Sequence, residues 1–429
     1  MKKGGREMDN SKYRPRLIDG KIDDYLSTFG AVCIEGPKWC GKTWTSSAHA
    51  NSIFMLSDPK DNFSNRELAK LDITKALEGD APHLIDEWQE IPAIWDAVRF
   101  AVDEKADTGR FLLTGSSTPI NKGVMHSGTG RIACLAMHPM SLYESGASEG
   151  AVSMADICAC RDIGVHNVKA PTLEELIDYV ICGGWPGGLG KSPERAALIP
   201  HEYVENVIRF DINKLDDIPR DQNKVRKCLR SLARNESTTV SVATILQDIA
   251  DVEDASLSDN TVSSYLNAFR RMFLTNDIEP FSTFLRSPSR IKQTPKRHFC
   301  DPSIAAALLG ATPRMLMRDL RTFGFLFESL ALRDLQIYAE ALGAKLYHYQ
   351  DYEGREIDAV VQFKDGDWSA FEIKLNPAQA DEAANNLKRI AALFKNNPPT
   401  SLAVVVGKSG IAHQRPDGVY VIPLTALKQ

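Results

Sequence analysis

An α/β fold built on a parallel sheet is predicted by three short apolar runs and by the residues that end them. Ala31-Val32-Cys33-Ile34-Glu35 is rich in β-formers and feeds directly into Gly36-Pro37-Lys38-Trp39-Cys40-Gly41-Lys42-Thr43, after which the sequence is compatible with a helix. His83-Leu84-Ile85 ends at Asp86-Glu87, and Phe111-Leu112-Leu113 ends at Thr114-Gly115-Ser116. Helical spacing from Ile94 to Val102 separates the last two runs, and the order strand, helix, strand favours parallel pairing.

The chain has 429 residues, enough for two to four folded units. Its 43% hydrophobic and 25% charged composition is that of a globular protein. No apolar run approaches the roughly 18 to 20 residues that cross a bilayer, and the first residues lack the apolar stretch of a signal peptide. The expectation is a cytoplasmic protein with no membrane partner. Eight cysteines are scattered without CxxC pairs, so they read as reduced thiols, with metal binding at Cys158 and Cys160 the less favoured alternative. A formal net charge of −5 advertises no general affinity for nucleic acid, so any such contact needs a local basic patch.

Gly36-x4-Gly41-Lys42-Thr43 fits the phosphate-loop pattern. Its glycines let successive backbone N–H groups close around phosphates where a helix begins. The expected ligand is ATP with Mg²⁺, contacted by residues Gly36 to Thr43 and by Trp44. Lys42 would reach the β- and γ-phosphates, and the Thr43 hydroxyl would ligate the metal. Asp86 and Glu87 stand where a metal-holding acid and a water-activating glutamate sit in hydrolysing proteins of this class, the alternative being a polar pair at a strand end. Thr114 can place a hydroxyl near the γ-phosphate or the attacking water, or simply close a turn. Arg131, in Gly128-Thr129-Gly130-Arg131, can approach the transition-state charge of a neighbouring subunit or form a surface salt bridge.

Polar text from Glu144 to Ala170 reads as a linker or insertion, and Thr172-Leu173-Glu174-Glu175 as a helix capping box. Helical pattern dominates from Arg195 to Asn235. Helical stretches and turns then alternate from Thr238, and Ser258 to Val262 opens an amphipathic helix carrying Val262, Tyr265, Leu266 and Phe269, an order that suggests a winged helix-turn-helix. Its wing, Phe281 to Phe299, holds Arg286, Arg290, Lys292, Lys296 and Arg297 without an acidic residue, suited either to DNA phosphates or to a solvated hairpin.

From about Thr312 a helix (Phe323 to Tyr338) is followed by strands near Lys345, Ile357, Phe371, Ala403 and Val419. Asp358 and Glu372-Ile373-Lys374 resemble the Asp…Glu-x-Lys core of restriction-endonuclease-like nucleases. Strand alternation puts Glu372 and Lys374 on one face, and a hairpin brings Asp358 beside them, so two carboxylates can hold Mg²⁺ while Lys374 activates water. Glu328, on the preceding helix, is placed like the accessory acid of that fold. Solvated strand ends are the alternative.

Tyr13-Arg14-Pro15-Arg16, the phosphate loop, Leu84-Ile85-Asp86-Glu87, Trp95-Asp96-x-x-Arg99, Leu113-Thr114-Gly115-Ser116, Gly130-Arg131, Gly183-Gly184-Trp185-Pro186 and Phe299-Cys300-Asp301 together carry a resemblance over nearly the whole chain. It resembles the prokaryotic AAA-like P-loop ATPases, related to archaeal ATPases, that end in a conserved domain of unknown function. The resemblance implies an AAA-type core (residues 1–147), a helical lid and linker (148–220), a winged helix-turn-helix (221–311) and a restriction-endonuclease-like PD-(D/E)XK α/β domain (312–429). Lys38-Trp39-Cys40 departs from the smaller or Arg/Gln residues usual inside the loop, which bears on base or subunit contacts and leaves the fixed positions intact. The expected function is an ATPase, a homo-oligomer with a ring as one arrangement, whose nucleotide cycle controls a DNA-facing region. The alternatives are an ATP- and Mg²⁺-dependent nuclease, and a nucleotide-driven oligomeric switch that binds a protein partner in stress or phage defence.

Overall fold

In the computed structural model, residues 13–61, 63–105, 107–118, 124–216, 218–250, 258–283 and 293–429 are described. The chain divides into two units. The first comprises residues 1–139 with two short later returns, Ile212–Ile218 and Ala268–Leu274, and the second holds the remainder.

Alternation along β1 (Ala31–Glu35) decides the architecture of the first unit. Val32 and Ile34 pack with Leu84, Leu112 and Leu135 against Ile22 and Leu26 of α1 (Asp19–Thr28). Ala31 and Cys33 face the other way, with Ile85, Phe111 and Leu113, onto Ile94, Trp95, Val98 and Val102 of α4 (Ala93–Lys105). A strand buried on both faces belongs to a parallel sheet covered by helices. The sheet also contains β2 (Ser52–Met55), β3 (His83–Asp86), β4 (Phe111–Gly115) and β5 (Ile132–Ala136), in the order β2-β3-β4-β1-β5. Every pairing is parallel, so the carboxyl ends of β1, β3 and β4 share one edge. α2 (Lys42–Ala48) follows the loop after β1, and α3 (Ser64–Leu71) follows β2.

Among the described residues, the second unit is built on a seven-stranded sheet in the order β7 (His166–Asn167), β12 (Ile411–Gln414), β13 (Tyr420–Pro423), β11 (Ser401–Val406), β10 (Trp368–Lys374), β9 (Glu356–Gln362) and β8 (Lys345–Gln350). The stretch from Glu144 to Ala170, expected as a linker or insertion, contains short elements that pair with distant strands. The turn Leu142–Ser145 carries a full capping box from Ser141 and Glu144. The two-residue strand β6 (Val152–Ser153) pairs with β14 (Leu427–Lys428), and β7 (His166–Asn167) joins the large sheet through β12 (Ile411–Gln414). The expected capping box at Thr172 and Glu175 opens the helix Leu173–Cys182.

The helix Leu320–Ala341 leads into β8 (Lys345–Gln350), β9 (Glu356–Gln362) and β10 (Trp368–Lys374), an antiparallel meander. The helix Ala380–Ala391 then crosses to β11 (Ser401–Val406), parallel to β10, and β13 (Tyr420–Pro423) follows. Ala383, Ala384, Leu387 and Ile390 of that helix pack on Val360, Ala370, Val404 and Val406.

Residues 222–271 include the helices Gln222–Arg234, Val242–Ala250 and Asp259–Arg271. Isolated bridges pair Thr238 with Arg297, Thr275 with Phe299 and Ile278 with Lys296. Two sequence motifs meet here: Asp301 accepts the Gly184 N–H at 2.9 Å and the Arg333 guanidinium at 2.8 Å, while the Trp185 indole donates to Ser303 Oγ at 2.9 Å.

Candidate active site

The parallel register delivers three strand ends to one place. The Lys42 ammonium, buried, donates to the Gly36 and Pro37 carbonyls at 2.9 and 2.8 Å. The Thr43 and Thr114 hydroxyls both donate to Asp86 Oδ1, at 2.9 and 2.7 Å, and the Glu87 N–H donates to Thr114 Oγ1 at 2.9 Å. Asp86 is thus joined to the loop on one side and to β4 on the other. Burial pushes its carboxyl above the ordinary range, and Glu87 beside it adds to the shift, against the two hydroxyls and Lys42. A cation placed there relieves that cost.

These donors suit a magnesium nucleotide. Thr43 and Asp86 offer hard oxygens at one spot, and Lys42 supplies an ammonium beside them. The first-turn N–H groups of α2 have no carbonyl four residues back within the helix. Gly36 admits no side chain, since a Cβ there would meet the Met137 carbonyl oxygen at 2.2 Å, and Gly41 takes φ 108°. Pro37, Lys38 and Trp39 form the outer arc, with Trp39 (φ 66°) and Trp44 exposed, whereas Cys40 is buried with its thiol toward the Met137 carbonyl.

Glu87 sits at φ 58°, and its Oε2 is held by Ser116 Oγ at 2.8 Å and by the Gln89 amide. Sequence reading gave no role to Gln89 or to Ser116. The available signal was spacing, two residues beyond Glu87 and two beyond Thr114 respectively. Arg16 also gained its role only in three dimensions, through its two contacts to the Cys40 and His138 carbonyls, each at 2.9 Å. Arg131 pairs with Asp103 at 2.7 Å, and Arg99 holds the same carboxylate at 2.9 Å. In this conformation Arg131 therefore makes the surface salt bridge.

A second cluster lies in the C-terminal sheet. Asp358 Oδ2 accepts the Ile373 N–H at 2.8 Å, Lys374 pairs with Glu372 at 2.8 Å, and Glu328, on the helix Leu320–Ala341, is linked to Asp358 through Lys296, whose Nζ lies 2.6 Å from Glu328 and 3.7 Å from Asp358. Burial, with Asp358 next to it, pushes Glu372 up to about 8.

The basic stretch differs from expectation. Arg286, Arg290 and Lys292 lie outside the described residues. Lys296 and Arg297 are not surface phosphate contacts: Lys296 is 2% exposed and paired with Glu328 and Glu356, and Arg297 is buried against Asp277. Carboxylates brought from distant parts of the sequence draw both cations inward. Cys158 is buried and Cys160 exposed. Among the described residues, the three whose ligand atoms lie close enough to share a metal are Cys33, Glu35 and Cys134.

Three family models match separate parts of the chain. The AAA domain matches residues 28–146, and two domains of unknown function match residues 173–315 (DUF8612) and 323–427 (DUF4143). No curated protein matches. Among solved structures, a Walker-type ATPase of Pyrococcus abyssi is 12% identical, with 70% of this chain and 97% of that chain covered at a TM-score of 0.42. The replication initiator DnaA bound to AMPPCP and single-stranded DNA is 12% identical, covering 62% of this chain and 92% of that chain at 0.28. The Hef helicase domain of Pyrococcus furiosus is 11% identical, covering 93% and 90% at 0.22. No helix among the described residues is long and apolar enough to cross a membrane. Residues 28–146 are thus similar to the AAA domain, and within them the phosphate-loop pattern, the acidic strand end and the hydroxyl strand end lie side by side.

Proposed function

We propose that the chain binds ATP with Mg²⁺ at Gly36 to Thr43 and hydrolyses it. The observation that carries this reading is the continuous hydrogen-bonded line Thr43–Asp86–Thr114–Glu87 across three strand ends. Lys42 exchanges its two loop carbonyls for the β- and γ-phosphates, Thr43 and Asp86 hold the metal, and Glu87 orients the attacking water. Thr114 fixes the spacing of the two acids. In a homo-oligomer, Arg131 leaves Asp103 for the nucleotide of the adjoining subunit. The cycle then controls a DNA-facing winged-helix and C-terminal region. Stimulation of turnover by DNA separates that role from a switch acting on a protein partner.

A second reading is favoured by the convergence of Glu328, Asp358, Glu372 and Lys374 after a helix and along a β-meander, an arrangement suited to a Mg²⁺-dependent nuclease-like site. The first reading is tested by equilibrium ATP titration in Mg²⁺ buffer, using fluorescence of the exposed Trp39 and Trp44. Wild type is expected to saturate, and Lys42→Ala to bind roughly tenfold or more weakly, a loss of about 1.4 kcal/mol or greater. Equal affinities, or no saturation by wild type, would remove the nucleotide site.

A further inference from the structure

Two cysteines and a glutamate that the nucleotide site does not use meet at the edge of the first unit's sheet. Cys33 and Glu35 stand two residues apart on β1, so they share the face turned toward α4, and Cys134 lies directly opposite Cys33 on the edge strand β5. Their ligand atoms, two sulfurs and a carboxylate oxygen, all fall within 4.8 Å of one another. Cys33 forms a buried floor, Glu35 is half-buried and Cys134 is exposed, so the group opens to solvent at β5. Burial pushes the Cys33 thiol well above its ordinary value, with Cys134 and Glu35 adding to the shift and the Trp88 indole opposing it. That indole N–H is buried and has no hydrogen-bond partner among the described residues, so an anionic sulfur at Cys33 would supply an acceptor.

We propose that Cys33, Glu35 and Cys134 form a site for a thiophilic divalent cation of the zinc type, separate from the Mg²⁺–nucleotide site and immediately before its phosphate loop in the chain. Two thiolates and a carboxylate suit Zn²⁺, which takes sulfur at about 2.3 Å and carboxylate oxygen at about 2.0 to 2.2 Å, whereas Mg²⁺ prefers oxygen alone. Three protein ligands leave the fourth tetrahedral position to water, on the open side. Binding releases one proton from each thiol to solvent and brings positive charge to the group. A disulfide fits the pair less well, because neighbouring strands lie about 4.8 Å apart and a disulfide needs Cβ atoms at about 3.8 Å. A tetrahedral ion instead accepts sulfurs about 3.8 Å apart, a separation that convergent side chains reach without moving the strands. The ion ties β1 to β5 just before Gly36, adding to the 2.7 Å bond from the Met137 N–H to the Glu35 carbonyl.

The test is Co²⁺ titration of the reduced, chelator-stripped full chain without nucleotide, read by sulfur-to-cobalt charge-transfer absorption. Wild type is compared with Cys134→Ser, Glu35→Gln and the double variant Cys158→Ser/Cys160→Ser. Wild type and the double variant are expected to show the absorption with equal affinity and to lose it to added Zn²⁺. Cys134→Ser, at an exposed position, and Glu35→Gln are each expected to bind roughly tenfold or more weakly. No charge-transfer absorption in wild type overturns the proposal. So does undiminished affinity in Cys134→Ser or Glu35→Gln, or loss of the absorption in the double variant, which would place the ion at Cys158 and Cys160. Cys134→Ala carries the same expectation should the serine variant fail to fold.

Discussion

Arg16 illustrates how a side chain outside the fixed motif anchors the backbone within it. Its planar guanidinium satisfies the Cys40 carbonyl in the phosphate loop and the His138 carbonyl beyond β5, which a lysine cannot reproduce with the same fork. Arg16→Ala leaves two carbonyls without this donor, at about 1 to 3 kcal/mol each when buried. Urea unfolding is expected to register a destabilisation of about 2 to 4 kcal/mol, with weaker ATP binding because the loop backbone loses its anchor. Wild-type stability would show that the two contacts carry nothing. Lys42, Thr43, Asp86, Glu87 and Thr114 were legible from sequence because each sits at a fixed distance from a strand end. Lys296 was not, since its burial depends on acids 32 to 62 residues further along the chain.

At the scale of elements, Glu236 ties three of them together. It follows the helix Gln222–Arg234, accepts the Phe299 N–H at 3.2 Å, and accepts the Ser329 hydroxyl of the helix Leu320–Ala341 at 2.7 Å. Burial pushes its carboxyl up to about 8, with Asp277 and Asp301 adding to the shift against those two donors. The folded state therefore holds a proton that the unfolded state releases near the ordinary glutamate value. This contribution is complete below the unfolded value and is lost as pH rises through about 8. His298 and His348, which burial and then Lys296 hold at about 3, contribute the opposite slope, lost as pH falls from the ordinary histidine range. Above the ordinary histidine range only the Glu236 slope remains of the three, so thermal melts are expected to lose stability from about pH 7 to 9 in wild type and to do so less in Glu236→Gln. Parallel profiles would contradict a protonated Glu236.

The elements most legible in the sequence were those with continuous burial, such as β1, β3 and β4. β2 has only partly buried residues, and β5 alternates buried and exposed ones after a glycine-containing turn, so neither carried a strong apolar signal. β6 and β7 are two residues long and pair with strands more than 240 residues away, a partnership that no local pattern encodes.

For the whole molecule, the match to the AAA domain spans residues 28–146, and two further matched segments follow it. The central claim is that the core turns over ATP and that Glu87, held by Ser116 and Gln89, orients the water. Steady-state phosphate release with Mg²⁺-ATP tests it most directly, with binding measured in parallel. Wild type is expected to turn over, and Glu87→Gln to retain ATP binding while losing about 10²-fold or more in rate, as loss of a general base does. Full turnover by Glu87→Gln, or none by a wild type that binds ATP, would contradict the claim.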